Sequence, residues 1–259
     1  MNKFCIIGED ERSKYLRKMY INEGTVLVDV KEADYVVAPI PFSRDGIKIT
    51  GEITTCDELI SKLDGKTLFT GAIFSDIKEK LKDIKYYDLM DLDEVAVMNA
   101  IPTAEGAIYE AIKNSNITLS GSNVLVMGYG RIGKVLCDML KGINAKVYCE
   151  ARSKKDIAYI EAMGYNSVHL LELNSYLPKM DYIFNTIPVT LLNENNLKYI
   201  NKECTIIDLA SAPGGIDFDL AKKIDLNVTW ALALPSKLAP KSAAKYLKGA
   251  IDNIIKKEI

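Results

Sequence analysis

The residues whose spacing most directly suggests chemistry are the three glycines of Gly128-Tyr129-Gly130-Arg131-Ile132-Gly133. A GxGxxG run has many chance matches, so its neighbours must decide. An apolar run, Asn123-Val124-Leu125-Val126-Met127, precedes it, and a helical pattern over 131–141 follows. In that setting Gly128 permits the tight turn, Gly130 lets backbone amides approach a pyrophosphate, and Gly133 lets helix and strand pack closely. The helix that opens with Arg131 and Ile132 directs its free N–H groups and positive dipole end at the phosphates. A nicotinamide dinucleotide is the expected ligand, held by Gly128, Gly130, Arg131, Ile132 and Gly133.

The end of the next strand selects the cofactor. It reads Tyr148-Cys149-Glu150-Ala151-Arg152-Ser153-Lys154-Lys155. An acid there accepts from the ribose hydroxyls of NAD, whereas a cation with small donors suits the 2′-phosphate of NADP. Glu150 fits the first case. Arg152 and Ser153, beside Lys154, form an anion site that fits the second, and neighbouring strand positions point oppositely. NADP is therefore expected and NAD stays open, with Arg152 as a solvated surface charge the competing reading. Two later strand ends, Asn185-Thr186-Ile187-Pro188 and Asp208-Leu209-Ala210-Ser211, fall where nicotinamide and its ribose would lie. They add Thr186, Pro188, Ala210 and Ser211 to the expected cofactor edge, and Asp208 reads as a turn-capping carboxylate.

The elements that must carry these residues alternate strand and helix along the whole chain. Strands are expected at 3–8, 25–28, 35–39 and 67–70, with helices over 11–23 and 56–63. A second series follows, with strands at 123–127, 146–149, 167–170, 182–185, 205–208 and 228–231 and helices over 131–141 and 155–163. Such alternation implies βαβ units on parallel sheets. The expected fold is α/β in two domains linked by long helices: an N-terminal flavodoxin-like parallel sheet and a C-terminal Rossmann dinucleotide-binding domain. Residues 1–98 form the substrate or partner domain, 99–238 the Rossmann domain with its linker helix, and an amphipathic helix over 239–259 returns to the first. The linker helix covers 98–116, with Pro102 in its first turn, where a missing N–H is no loss.

Composition narrows the function. The 259 residues are 48% hydrophobic and 26% charged, enough apolar content for a sizeable core, and the net charge of -2 comes without a basic block. Nucleic acid is therefore a poor partner. The longest apolar runs fall far short of the about 20 residues that span a bilayer, and the N-terminus does not read as a signal peptide, so a cytoplasmic protein is expected. Five cysteines without CxxC spacing read as buried thiols, and a single histidine, His169, makes a metal site improbable.

Four stretches, Asn99–Ile108, Gly128–Gly133, Asp208–Phe218 and Ala231–Lys241, together resemble the A subunit of dipicolinate synthase. The resemblance implies a role in making dipicolinate, the calcium-chelating acid of bacterial spores, in the mother cell. The implied substrate is the cyclic product of the lysine-pathway dihydrodipicolinate synthase reaction, and its conversion to a pyridine requires loss of water and removal of a hydride. The implied partner is the flavoprotein-like B subunit of the same synthase, and a homo-oligomer is the expected assembly. A dicarboxylate substrate needs cations or convergent donors. Thr103, Ser211, the amides of Gly214 and Gly215, Lys237 and Lys241 are the candidates. Glu105, Lys237 and Thr103 are the candidate catalytic groups, with Glu105 either a base for the ring proton or a first-turn carboxylate favoured by the helix dipole.

Rival readings differ in what they require, and an adenosylhomocysteine hydrolase-like or alanine dehydrogenase-like enzyme, which shares the glycine turn, has a much longer chain and lacks the Asn99–Ile108 pattern. A D-2-hydroxyacid dehydrogenase shares the two-domain plan but needs an acid-base histidine near the last sheet strand, and His169 belongs to the third Rossmann strand instead. A catalytically silent NADP-binding scaffold subunit needs no such group and stays open.

Overall fold

The computed structural model describes residues 2–258, and these divide into two compact units: the chain up to Asn99 together with the segment from Pro235 onward, and Ala100–Leu234. In the first unit, strands β1 (Lys3–Ile6), β2 (Val26–Leu27), β3 (Tyr35–Val37), β4 (Thr67–Thr70) and β5 (Lys85–Asp88) form a parallel sheet in the order β2-β1-β3-β4-β5. This is the flavodoxin-like order. Helices α1 (Glu11–Asn22), α2 (Cys56–Ile60) and α3 (Ser75–Lys80) lie between the strands. Strand alternation splits the apolar residues between two faces. Phe4, Ile6, Val37 and Phe69 enter one core, and Cys5, Val36 and Leu68 enter the other. Both faces are covered, as a parallel sheet requires.

The chain crosses into the second unit within α4 (Asp93–Lys113). There β6 (Asn123–Met127), β7 (Lys146–Ala151), β8 (Asn166–His169), β9 (Tyr182–Asn185), β10 (Thr205–Asp208) and β11 (Asn227–Trp230) build a six-stranded parallel sheet in the order β11-β10-β9-β6-β7-β8. Counted within the unit this is 6-5-4-1-2-3, the doubly wound Rossmann arrangement. Its helices are α5 (Arg131–Gly142), α6 (Lys154–Ala162), α7 (Leu173–Tyr176) and α8 (Phe218–Lys223). The chain then passes through α9 (Leu234–Leu238) into α10 (Pro240–Glu258). Leu247 and Ile251 of α10 share a core with Leu16 and Tyr20 of α1. A polar cluster around the buried Lys248 reinforces that contact: Lys248 Nζ lies 2.6 Å from both Glu23 and Asp252, and the Tyr20 hydroxyl donates to Asp252 at 3.0 Å.

One expected boundary is wrong. α4 begins at Asp93, so Pro102 and Glu105 lie in the interior of a 21-residue helix and not in a first turn. The missing proline N–H leaves the Met98 carbonyl without its usual helical donor, yet the apolar runs on either side carry the helix through. Sequence patterning also passes over β5 and α3. Both are short and polar, and β5, Lys85-Tyr86-Tyr87-Asp88, presents only one buried residue. No helix among the described residues is long and apolar enough to cross a membrane.

Candidate cofactor-binding site

The glycine turn sits at the junction of β6 and α5, beside the point where sheet order reverses between β6 and β9. Ligands of open α/β sheets bind at such a switch point, at the carboxyl ends of the strands. Gly128 has φ +91, a conformation that favours glycine, and a Cβ there would lie 2.7 Å from Thr186 Oγ1. A Cβ on Gly133 would lie 2.0 Å from the Gly128 carbonyl oxygen. Around Gly130, by contrast, a Cβ would meet nothing within 4 Å. The first and third glycines are thus required by the turn and its packing, and the second leaves an open approach above the N-terminus of α5. Gly130 is the α5 N-cap and has no side chain to bond the first-turn amides. A ligand oxygen placed over that open turn would face those amides.

Parallel register brings the other strand ends level with the turn. Met127 pairs with Glu150 on one side and with Asn185 on the other, and Asn185 pairs in turn with Asp208. Thr186 is tied to β6 twice, its N–H and its hydroxyl both donating to the Met127 carbonyl. Asp208, fully buried, accepts from Asn185 Nδ2 at 2.8 Å, from the Ala210 amide at 3.1 Å and from the Gly215 amide at 2.8 Å. It therefore caps the loop after β10. Asn185 completes the clamp by donating to the Ile187 carbonyl. Sequence reasoning passed over Asn185 as a positioning residue, although a polar side chain closing the wholly buried strand Tyr182–Asn185 was a usable signal.

The clamp overturns two expected roles. The Gly215 amide donates to Asp208 and the Gly214 amide to the Ser211 carbonyl, so neither N–H is available to a substrate in this conformation. Both glycines serve packing instead: a Cβ on Gly215 would lie 1.9 Å from Asn185 Nδ2, and one on Gly214 would lie 2.8 Å from Phe218. Ser211 and Pro188 remain exposed at the same sheet edge, with Ala210 buried beneath.

At the end of β7 the two cofactor-selecting features occupy different environments. Arg152, Ser153 and Lys154 are exposed. Ser153 caps α6, its hydroxyl accepting from the Asp156 amide and donating to the Asp156 carboxylate at 2.7 Å. Glu150 is buried, and neither carboxylate oxygen has a hydrogen-bond partner among the described residues. Burial raises its pKa, an effect that the nearby Gly128 amide, outside hydrogen-bond geometry to the side chain, opposes first, followed by Arg152 and His169. An unpartnered buried carboxylate at this position fits a ribose diol, and an exposed cation with a helix-capping serine fits a phosphate. The residues present thus accommodate a dinucleotide by either route.

The end of α4 lies at the opposite edge of the sheet, where strands start: Asn227 of β11 bonds the Asn114 carbonyl, and the Tyr182 hydroxyl of β9 donates to Ser115. At about 1.5 Å per residue, Thr103 and Glu105 rise about 12–15 Å from that end toward the cofactor edge. Two residues apart on a helix, they point about 200° away from each other. They cannot converge on one small ligand, which corrects their pairing as joint catalytic groups. Thr103 is half-buried and Glu105 exposed. Lys237 and Lys241 are exposed residues of the first unit. His169 caps a short turn, its Nδ1 accepting from the Leu171 amide, and all five cysteines are free and buried.

Comparison with known proteins agrees with this geometry. The NAD-binding domain of D-isomer specific 2-hydroxyacid dehydrogenases matches residues 101–224. The A subunit of dipicolinate synthase from Bacillus subtilis (strain 168) is 32% identical over 237 residues, covering 88% of this chain and 80% of that protein. The chain belongs to the family of dipicolinate synthase A subunits. The crystal structure of the Bacillus halodurans A subunit superposes with a TM-score of 0.89 at 26% identity, covering 98% of this chain and 97% of that one. Its Bacillus subtilis counterpart gives 0.88 at 27% identity, with 99% and 96% covered. Membership in this family, together with the dehydrogenase-type domain, makes the chain an oxidoreductase with a nicotinamide dinucleotide cofactor.

Proposed function

We propose that the chain is the A subunit of a two-subunit synthase that oxidises the cyclic product of dihydrodipicolinate synthase to dipicolinate. The observation that carries this reading is the match to the dipicolinate synthase A subunit over nearly the whole chain. The reaction removes one water, then one hydride and one proton, leaving an aromatic pyridine dicarboxylate. The bound nicotinamide supplies the hydride acceptor. The chain's own residues do the rest: the turn from Gly128 to Gly133 and the α5 amides hold the pyrophosphate, while Thr186, Pro188, Ala210 and Ser211 line the nicotinamide end. Glu105 is the proposed acceptor of the ring proton, and Lys237 and Lys241 are proposed partners of the substrate carboxylates. The flavoprotein-like B subunit is the proposed partner, in the cytoplasm of the mother cell of a sporulating bacterium, and the present chain is itself a homo-oligomer.

NADP is the proposed cofactor, because Arg152 and Lys154 are exposed at the head of α6 while the Glu150 oxygens are buried away from solvent. A second reading, NAD, draws on those same unpartnered oxygens, which a ribose diol would satisfy after a side-chain rotation, and on Asp156, whose charge beside Ser153 opposes a phosphate.

The test is to supply freshly generated cyclic substrate and either NADP or NAD to the chain, with and without the flavoprotein-like partner. Absorbance of reduced nicotinamide and formation of dipicolinate are then followed. Dipicolinate formation dependent on this chain is expected. Tight cofactor binding without turnover in either mixture would establish a scaffold subunit instead.

A further inference from the structure

The first unit has a cavity of its own, of about 370 Å³, which the dinucleotide site does not use. Its walls include Glu9, Asp10 and Arg12, which follow β1, and Arg44 and Thr50, which follow β3. The sheet order reverses between β1 and β3, so this cavity lies at the switch point of the flavodoxin-like sheet, at the carboxyl ends of its strands. Position alone therefore marks it as a ligand site, and its size suits a small organic molecule.

The charges in the cavity are unequally engaged. Asp10 is the N-cap of α1 and accepts from the Arg12 amide, the Ser13 amide and the Ser13 hydroxyl. Glu9 pairs with Arg17 at 3.2 Å. The two acids are thus occupied. Arg12, only 11% exposed, donates to the Ile40 carbonyl and stands 3.9 Å from Asp10, so most of the five donors of its guanidinium are unspoken for. No hydrogen bond or ion pair is made by the Arg44 guanidinium among the described residues, and Thr50 Oγ1 is buried without a partner. A buried hydroxyl left unpaired is unfavourable, and a ligand oxygen relieves it. Two guanidinium groups and a hydroxyl match the planar oxygens of carboxylates, which arginine binds in bidentate fashion.

We infer that Arg12, Arg44 and Thr50 form a pocket for a small dicarboxylic acid in the first unit. The choice of acid rests on the proposed function, since both the substrate and the product of that reaction carry two carboxylates. The pocket itself rests on the cavity and its unpaired donors.

Calorimetric titration of the full chain with dipicolinate, cofactor absent, tests the inference. One equivalent is expected to bind. Arg44→Gln is expected to weaken binding about tenfold or more, and Thr50→Val several-fold, as loss of a charged and of a neutral hydrogen bond predicts. Arg44→Lys should recover part of the loss. Thermal melts and cofactor titrations, unchanged in all three variants, keep the comparison to folded protein. Absence of binding to the unmodified chain, or binding indifferent to Arg44 and Thr50, would overturn the pocket. Inorganic phosphate bound as tightly as dipicolinate, and lost in Arg44→Gln, would overturn the dicarboxylate assignment. Binding that depends on Arg44 while turnover fails would defeat the proposed reaction and leave the pocket standing. Turnover with Arg44-independent binding would do the reverse.

Discussion

The Gly128 carbonyl oxygen lies 2.0 Å from where a Cβ on Gly133 would stand, whereas a Cβ on Gly130 would meet nothing within 4 Å. Two glycines of one motif are therefore held for different reasons, one by packing and the other by the ligand. Gly133→Ala forces α5 away from its own turn and should destabilise the protein by about 3 kcal/mol, as overpacking against backbone does. Gly130→Ala should leave the stability read by urea unfolding within about 0.5 kcal/mol of the parent and still weaken dinucleotide binding by about tenfold or more. Equal stability losses in the two variants would refute this division.

Asp208 is the single acceptor for three donors at the loop after β10. Asp208→Asn places an amide NH₂ where the Asn185 amide or a backbone N–H now donates. One donor must go unpaired, and the expected loss is about 1–3 kcal/mol, measured by urea unfolding. Cofactor affinity should fall with it, because the same loop carries Ala210 and Ser211 at the sheet edge.

Glu150 makes stability depend on pH in an uncommon direction. Its folded pKa is raised above the ordinary 4.5 by burial, so between those two values the folded state binds more protons than the unfolded one. Stability is then fully present below 4.5 and declines as pH rises through the folded value. Glu150→Gln keeps the shape of the neutral form. It should match the parent in acid and exceed it at neutral pH, as read by urea midpoints across the range. A variant less stable than the parent at neutral pH would mean that the carboxylate is paired in the folded protein.

Much of this arrangement is legible in the sequence, because its cause is local. The turn needs glycine at fixed offsets after a strand, and the strand ends at Asn185 and Asp208 close apolar runs that terminate at a polar residue. The start of α4 is not legible. Pro102 resembles a first-turn residue, and only the packing of Val95 into a first-unit core before it, with Ala104, Ala107 and Ala111 in a second-unit core after it, shows the helix running through it. The two glycine amides at 214 and 215 look like free donors until the Ser211 carbonyl takes the first and Asp208 the second. Arg12, Arg44 and Thr50 come together only through sheet order, since nothing local relates the loop after β1 to the loop after β3.

Arg152 decides between the two cofactor readings. If the 2′-phosphate of NADP lies against its exposed guanidinium, Arg152→Gln removes a charged hydrogen bond and should weaken NADP binding about 10- to 100-fold, with NAD binding unchanged. Ser153→Ala acts differently. The Ser153 hydroxyl caps α6, so its loss should lower stability by about 0.5–2 kcal/mol whichever cofactor binds. Titrations of both variants with each dinucleotide, followed by quenching of protein fluorescence, separate the cases. Should Arg152→Gln leave NADP affinity untouched while Glu150→Gln lowers NAD affinity, the ribose hydroxyls lie on Glu150 and the cofactor is NAD.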